Sequence, residues 1–315
     1  MVEIAFPTGR SAGHRRPRLG YAMTLAAATL FAVNGAVSKL ALEAGEMGTL
    51  RWTELRSTGG FVGLLLAVSI LAPSRLGVAR SQLPALALYG LFGFALVQWL
   101  YFVAIARLPI GIGLLFEFTA PVLIALWARF AWKEPVRQRV WVALALVIAG
   151  LVLVARVWQG ATLDGIGVAA GLLAAGALAF FYLQGERLAG RHDSLAVVCV
   201  ALGFASLFWA LVQPWWSFPF SSLTVEATLP GEILGTAPVW ALAAWTIVLG
   251  TIAPFVLSIR ALQHLPATTV GIVATFEPVA AAAVAWVWLG ETLVAVQIAG
   301  GLVVLAGILL AETSR

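Results

Sequence analysis

Charge is scarce in this chain. Only 10% of its 315 residues are Asp, Glu, Lys or Arg, against roughly 25% in ordinary soluble domains. That shortage excludes a water-facing surface of normal extent. Cysteine is nearly absent, and the single Cys199 lies in an apolar run where it has no intramolecular partner for a disulfide. The three histidines, His14, His192 and His264, show no metal-binding spacing. There is no HExxH, no GxSxG and no nucleotide-binding glycine loop. No enzyme is expected, and no cofactor or metal. No connection between apolar runs is large enough to house an ATPase domain, which excludes ATP-driven pumping.

What is abundant is hydrophobicity, at 62% of residues. Runs of about 20 apolar residues recur along the chain, the length that spans a hydrocarbon core of roughly 30 Å. Ten are expected: 20–42, 48–72, 83–105, 109–131, 138–158, 165–188, 194–212, 239–261, 267–289 and 294–312. The fold class is therefore all-α integral membrane, and membrane lipid is an obligatory partner. The net charge of +5 does not point to nucleic acid, because four arginines (Arg10, Arg15, Arg16, Arg18) crowd the tail 1–19 and set topology. That tail has no cleavage-site pattern, so the first run is expected to be retained. With the N-terminus inside, fourteen Lys and Arg fall on the inner side and five (Lys39, Arg51, Arg56, Arg107, Arg156) on the outer. Both termini are thus expected in the cytoplasm. The one long connection, 213–238, carries paired tryptophans and no basic residue. It is expected at the outer interface.

The sequence also repeats. "LPIGIGLLFEFTAPV" (108–122) and "LPATTVGIVATFEPV" (265–279) align at an offset of 157. The same offset carries Gly93 onto Gly250, Ala125 onto Ala282, Glu134 onto Glu291 and Gly150 onto Gly307. Runs three to five therefore match runs eight to ten without a gap. Five spans per repeat is an odd number, so the second copy enters the membrane from the opposite side. The expectation is two inverted five-helix repeats, 20–158 and 165–312, a plan common among secondary transporters.

Each copy places one acid beside one proline. Pro121 cannot donate to the carbonyl of Glu117, nor Pro278 to that of Ala274. A freed carbonyl in hydrocarbon costs several kcal/mol unless water or another group reaches it. Pro121 and Pro278 each lie twelve residues past Pro109 or Pro266, about 18 Å along a helix. Both helix breaks are thus expected near the midplane, lining a wet cavity. Glu117 and Glu277 belong in the same place, since a mid-membrane carboxylate costs roughly 2.5–3.5 kcal/mol or more. Two readings stay open for each acid: contact with a substrate ammonium or proton, or a structural hydrogen bond across the bundle. Asn34 on span one, Gln98 and Tyr101 on span three and Tyr182 on span six add hydrogen-bonding groups to apolar walls, which suits a zwitterion with an uncharged side chain. Arg51, Glu54 and Arg56 read as an interfacial network, because Arg51 and Glu54 can pair at i,i+3. Ser38, Thr251 and Ser258 read as interhelical hydrogen-bonders.

The stretches "GLFGFALVQWLYFVAIARLPIGIGLLFEFTAPVLIALWARFAWKEPV" and "GTIAPFVLSIRALQHLPATTVGIVATFEPVAAAAVAWVWLGETL" resemble the EamA repeat of the drug/metabolite transporter superfamily. Gly93/Gly250, Pro121/Pro278, Glu134/Glu291 and Gly150/Gly307 carry the resemblance. The first copy departs from it by reading "WKE" where the second has "LGE". The resemblance implies ten helices, a bacterial inner-membrane location and export of small metabolites such as amino acids, with YddG-type exporters of aromatic amino acids as a guide. A monomer is compatible with this plan. A passive channel or a lipid scramblase or flippase on the same repeat is the alternative.

Overall fold

The apolar runs become helices because a helix satisfies its own backbone where no water is present. The computed structural model describes residues 16–108, 110–133, 135–158, 164–229, 235–289 and 294–312. Pro109, Glu134, Glu291, Arg10, Arg15 and Arg315 lie outside the described residues. Among the described residues, nine helices are long and apolar enough to cross a membrane. They are spans one to nine: Pro17–Gly45, Thr49–Leu71, Arg80–Ile105, Gly111–Phe130, Gln138–Ala155, Gly165–Ala189, Ser194–Val212, Val239–His264 and Ala267–Trp288. The shorter apolar helix Ala295–Ala311 is span ten. The protein is an all-helical, multi-pass membrane protein, and its exposed side chains include Leu71, Leu211 and Val287, as a lipid-facing surface requires.

Spans five and ten show how the repeats are related. A Cβ on Gly150 would strike the Gly300 carbonyl at 2.7 Å, and one on Gly307 would meet the Ala143 carbonyl at 2.9 Å. Going up span five from 143 to 150 is going down span ten from 307 to 300. The offset of 157 makes Ala143 the equivalent of Gly300 and Gly150 that of Gly307, so each contact is the image of the other. Equivalent helices that meet antiparallel are exchanged by a two-fold axis perpendicular to both, which lies in the membrane plane. This is the inverted repeat, and glycine is required at the crossing because the two backbones touch.

Two irregularities obey the same offset. Span three contains a π turn at Tyr89–Leu96, and span eight one at Val248–Ile252. Span four is broken between the helices Ile110–Glu117 and Ala120–Phe130, and span nine between Ala267–Ala274 and Phe276–Leu289. Glu117 and its equivalent Ala274 both end a helix. The breaks are capped by side chains that sequence reasoning did not assign: the Thr119 hydroxyl donates to Phe116 O, and the Thr275 hydroxyl to Ile272 O.

The connection 213–238 is more structured than expected. It holds short 3₁₀ turns and an antiparallel pair, Glu226–Thr228 with Thr236–Pro238. Trp216 is exposed, whereas Trp215 stacks on Phe218 with centroids 4.9 Å apart. Arg51 ties this cap to span two, donating to Ser217 Oγ at 2.6 Å and pairing with buried Glu54 at 2.7 Å.

Overpacking a close crossing costs about 1–3 kcal/mol, and more where backbone must move. Gly150→Leu is therefore expected to lower the unfolding temperature of the detergent-solubilised protein by several degrees. Gly176→Ala, with nothing within 4 Å of its added Cβ, is expected to leave it unchanged. Equal behaviour of the two variants would count against the antiparallel crossing.

Candidate functional site

The breaks and π turns surround one cavity of about 530 Å³. Its walls come from spans one, three, four, six, eight and nine, with additions from spans two, five and ten. The lining runs from Phe31 to Glu43 in span one, from Gly93 to Ala106 in span three and from Gly111 to Phe118 in span four. These are the C-terminal halves of spans one and three and the N-terminal half of span four. The cavity therefore opens at the end of the bundle where span one finishes.

At the opposite end aromatic rings close the path. Phe255 of span eight lies 4.5 Å from Phe94 and 5.2 Å from Phe31, centroid to centroid. Phe181 of span six stacks on Tyr89 at 5.6 Å. The Tyr89 hydroxyl donates to Phe181 O at 3.1 Å. Below these rings, spans six, eight and nine are tied together. Gln263 Nε2 donates to Ala189 O at 3.2 Å, and Ala267 N donates to Glu186 Oε2 at 2.9 Å.

All six residues expected at the centre, Asn34, Gln98, Tyr101, Glu117, Tyr182 and Glu277, line this one cavity. Pro278 lines it as well, while Pro121 turns toward Gly271 of span nine. Asn34 packs so closely on Gly250 that any side chain there would collide with its amide. Gln98 donates to Phe94 O at 2.7 Å, inside the π segment, and its buried Oε1 has no protein partner among the described residues. Of the other expectations, Ser38 pairs with Asn34 Oδ1 at 3.5 Å. Lys39 and Glu43 sit at the mouth.

Arg56 is the residue that sequence reasoning misplaced. It was grouped with Arg51 and Glu54 at the interface, but it is only 6% exposed and lines the cavity. Its Nε–H donates to Thr251 Oγ1 at 3.2 Å and its Nη2 to Gly250 O at 2.9 Å. Both acceptors belong to the π turn of span eight. The spacing held a signal: residues two apart on a helix face different ways, so Glu54 and Arg56 could not serve one network. Arg56 attracts Glu277, and Glu277 and Glu117 repel each other. Among the described residues, neither carboxylate closes an ion pair with Arg56, so the opposed charges share a cavity without neutralising each other directly. Among the described residues, no three His, Cys, Asp or Glu side chains gather as a metal site.

Comparison with known proteins also finds one family pattern twice along the chain. A sequence profile of the EamA-like transporter family matches residues 18–156 and again 165–313. The chain belongs to the EamA-like transporter family. The threonine/homoserine exporter RhtA of Escherichia coli strain K12 is 30% identical over 238 residues, 75% of this chain and 74% of that protein. The pseudopaline exporter CntI of Pseudomonas aeruginosa strain PAO1 is 26% identical over 297 residues, 94% of this chain and 97% of its own. A solved crystal structure superposes with a TM-score of 0.71 at 16% identity, covering 93% of this chain and 97% of the other, and shares the fold. As a member of this family the protein is a membrane transporter of small metabolites, not an enzyme, and sits in the inner membrane.

The geometry predicts one-sided access. In a Cys199→Ala background, Gln98→Cys and Ala281→Cys are expected to react with a membrane-impermeant thiol reagent applied at the open end. Phe94→Cys, at a fully buried position, is expected to stay unmodified. Reaction of Phe94→Cys as fast as the cavity positions would show that the aromatic floor does not seal.

Proposed function

We propose that this protein is a secondary exporter of amino acids with uncharged side chains, working by alternating access. The observation that carries the reading is the cavity itself: two acids and four hydrogen-bonding side chains between matched helix breaks, open at one end and closed by aromatic rings at the other. The names of the relatives, exporters of threonine, homoserine and pseudopaline, support small-metabolite export. Arg75, Arg80, Arg129, Lys133, Arg187, Arg191 and Arg260 all belong to the closed end. By the positive-inside rule that end is cytoplasmic, both termini with it, and the open state faces outward. Residues 20–158 and 165–312 are then the two repeats, but span one packs on spans eight and nine and span six mainly on spans three and four, so each unit that rocks about the in-plane axis combines spans from both. A scramblase would need a polar stripe that reaches lipid between spans. The groove beside spans four and six, lined by Leu123, Trp127, Phe130 and Arg187 among others, is largely apolar and shares no lining residue with the cavity, which favours export of a soluble molecule.

Glu117 and Glu277 supply the coupling in this reading. A carboxyl facing the cavity takes a proton from one side and gives it up on the other while the substrate travels the opposite way. No histidine lies at mid-depth and no aspartate lies within a span, so these acids are the proton carriers available there. Glutamine keeps shape and most hydrogen bonding but cannot titrate. In proteoliposomes, Glu117→Gln or Glu277→Gln is expected to abolish accumulation of threonine or tryptophan driven by a pH gradient, while gradient-free exchange of labelled for unlabelled amino acid remains measurable. If both variants keep full pH-driven accumulation, the acids are structural and the protein is a facilitator.

A further inference from the structure

We propose that Arg56 is the carboxylate-binding residue of the transport cavity, and that it selects substrates carrying a free carboxylate. The proposal rests on the export reading and adds to it the group that sets substrate class. A guanidinium has five N–H donors in a planar fork. Here the edge formed by Nε and Nη2 is occupied by Thr251 Oγ1 at 3.2 Å and Gly250 O at 2.9 Å. That leaves both Nη1 hydrogens and one on Nη2, the end-on edge that takes a carboxylate through two parallel hydrogen bonds. Among the described residues no other protein group bonds Arg56. A cation that is 6% exposed and half-satisfied, lining a cavity, is prepared for an anion.

The position of the guanidinium is fixed by the fold. Pro254, just past the π turn, has no N–H to return to the Gly250 carbonyl four residues back. That carbonyl accepts from Arg56 instead. Thr251 accepts from Arg56 while its own hydroxyl donates to Thr246 O at 2.9 Å, so the oxygen facing Arg56 cannot rotate away. Glycine at 250 lets Asn34 close the other side. The matching π turn in span three holds no cation: Gly93, the equivalent of Gly250, packs on the Tyr89 ring. The scaffold is two-fold, but of its two π turns only the one in span eight holds a cation, and Lys39 lies away from it at the mouth, so a zwitterion bound at Arg56 has one orientation. Its carboxylate lies toward spans two and eight, and its ammonium toward Glu277 and Glu117.

Counterflow in proteoliposomes tests this with threonine and threoninamide, which lacks the carboxylate. The wild-type protein is expected to exchange labelled threonine and to be inhibited by unlabelled threonine, but by threoninamide at least about 30-fold more weakly, the size of losing a buried charge-assisted pair. Arg56→Gln is expected to lose threonine affinity by a similar factor and to bring the two inhibitors within a few-fold of each other. Arg56→Lys, charged but without the fork, is expected to fall between. Amide and acid competing equally in the wild type would overturn the assignment and leave the export reading intact. So would an Arg56→Gln protein that elutes as a single species and keeps wild-type discrimination. If Arg56→Gln is not recovered folded, the wild-type comparison of acid with amide decides alone. A wild-type protein that exchanges neither threonine nor tryptophan overturns the export reading, and the assignment with it.

Discussion

Inside a hydrocarbon layer no water reaches the backbone, so each peptide group that leaves a helical ladder needs another partner. This constraint organises the centre of the molecule. Two spans are broken and two contain π turns, and every one of these irregularities borders the cavity or is capped by a side chain. Thr119 and Thr275 take carbonyls at the breaks, Gln98 takes one in span three, and Arg56 takes one in span eight. The irregular backbone survives beside the cavity because these side chains satisfy it there. A transporter needs both at mid-depth, where a bound molecule can be exposed to either side by small tilts of rigid helices.

The two-fold relation holds at spans five and ten and in the irregularities of spans three, four, eight and nine, but the packing of spans one and six breaks it, and the break is informative. Span six packs against spans eight and nine, and backbone ties reinforce that packing at the closed end. Span one holds the place of span six in the first half. Among the described residues it makes no comparable packing against spans three and four, and the cavity mouth lies there instead. Two halves with the same plan thus sit in different arrangements. In the alternating-access reading proposed above, exchanging the arrangements, so that span one closes on spans three and four while span six leaves eight and nine, would produce the state open at the other end. The antiparallel glycine crossing of spans five and ten lies on the axis and need not change during the exchange.

Much of this was legible in the sequence, for a definite reason. Polar residues are rare inside apolar spans, so each one carries information, and the constant offset of 157 made the helix breaks at Pro121 and Pro278 equivalent. Asn34, Gln98, Tyr101, Glu117, Tyr182 and Glu277 could be placed at one depth by counting along helices, and they meet in one cavity. Arg56 could not be placed that way. It lies two turns past the start of span two, close to a real interfacial pair, Arg51 and Glu54, and its partners are 194 and 195 residues away. The π turns left no local signal, since Gly250 and Gly93 also read as packing glycines. Nor does the sequence say which end of the cavity is open.

The most direct test of the exchange is a pair of distances measured in one preparation. Spin labels at Glu46→Cys and Arg107→Cys report on spans one and three at the open end. Labels at Arg191→Cys and Arg260→Cys report on spans six and eight at the closed end. Pulsed dipolar spectroscopy in lipid nanodiscs, with the Cys199→Ala background and with threonine added across a pH series, gives both. If the halves exchange arrangements, conditions that shorten the first distance lengthen the second, with two discrete populations changing in proportion. Both distances moving in the same direction, or neither moving at any pH or threonine concentration, would contradict alternating access by this scaffold.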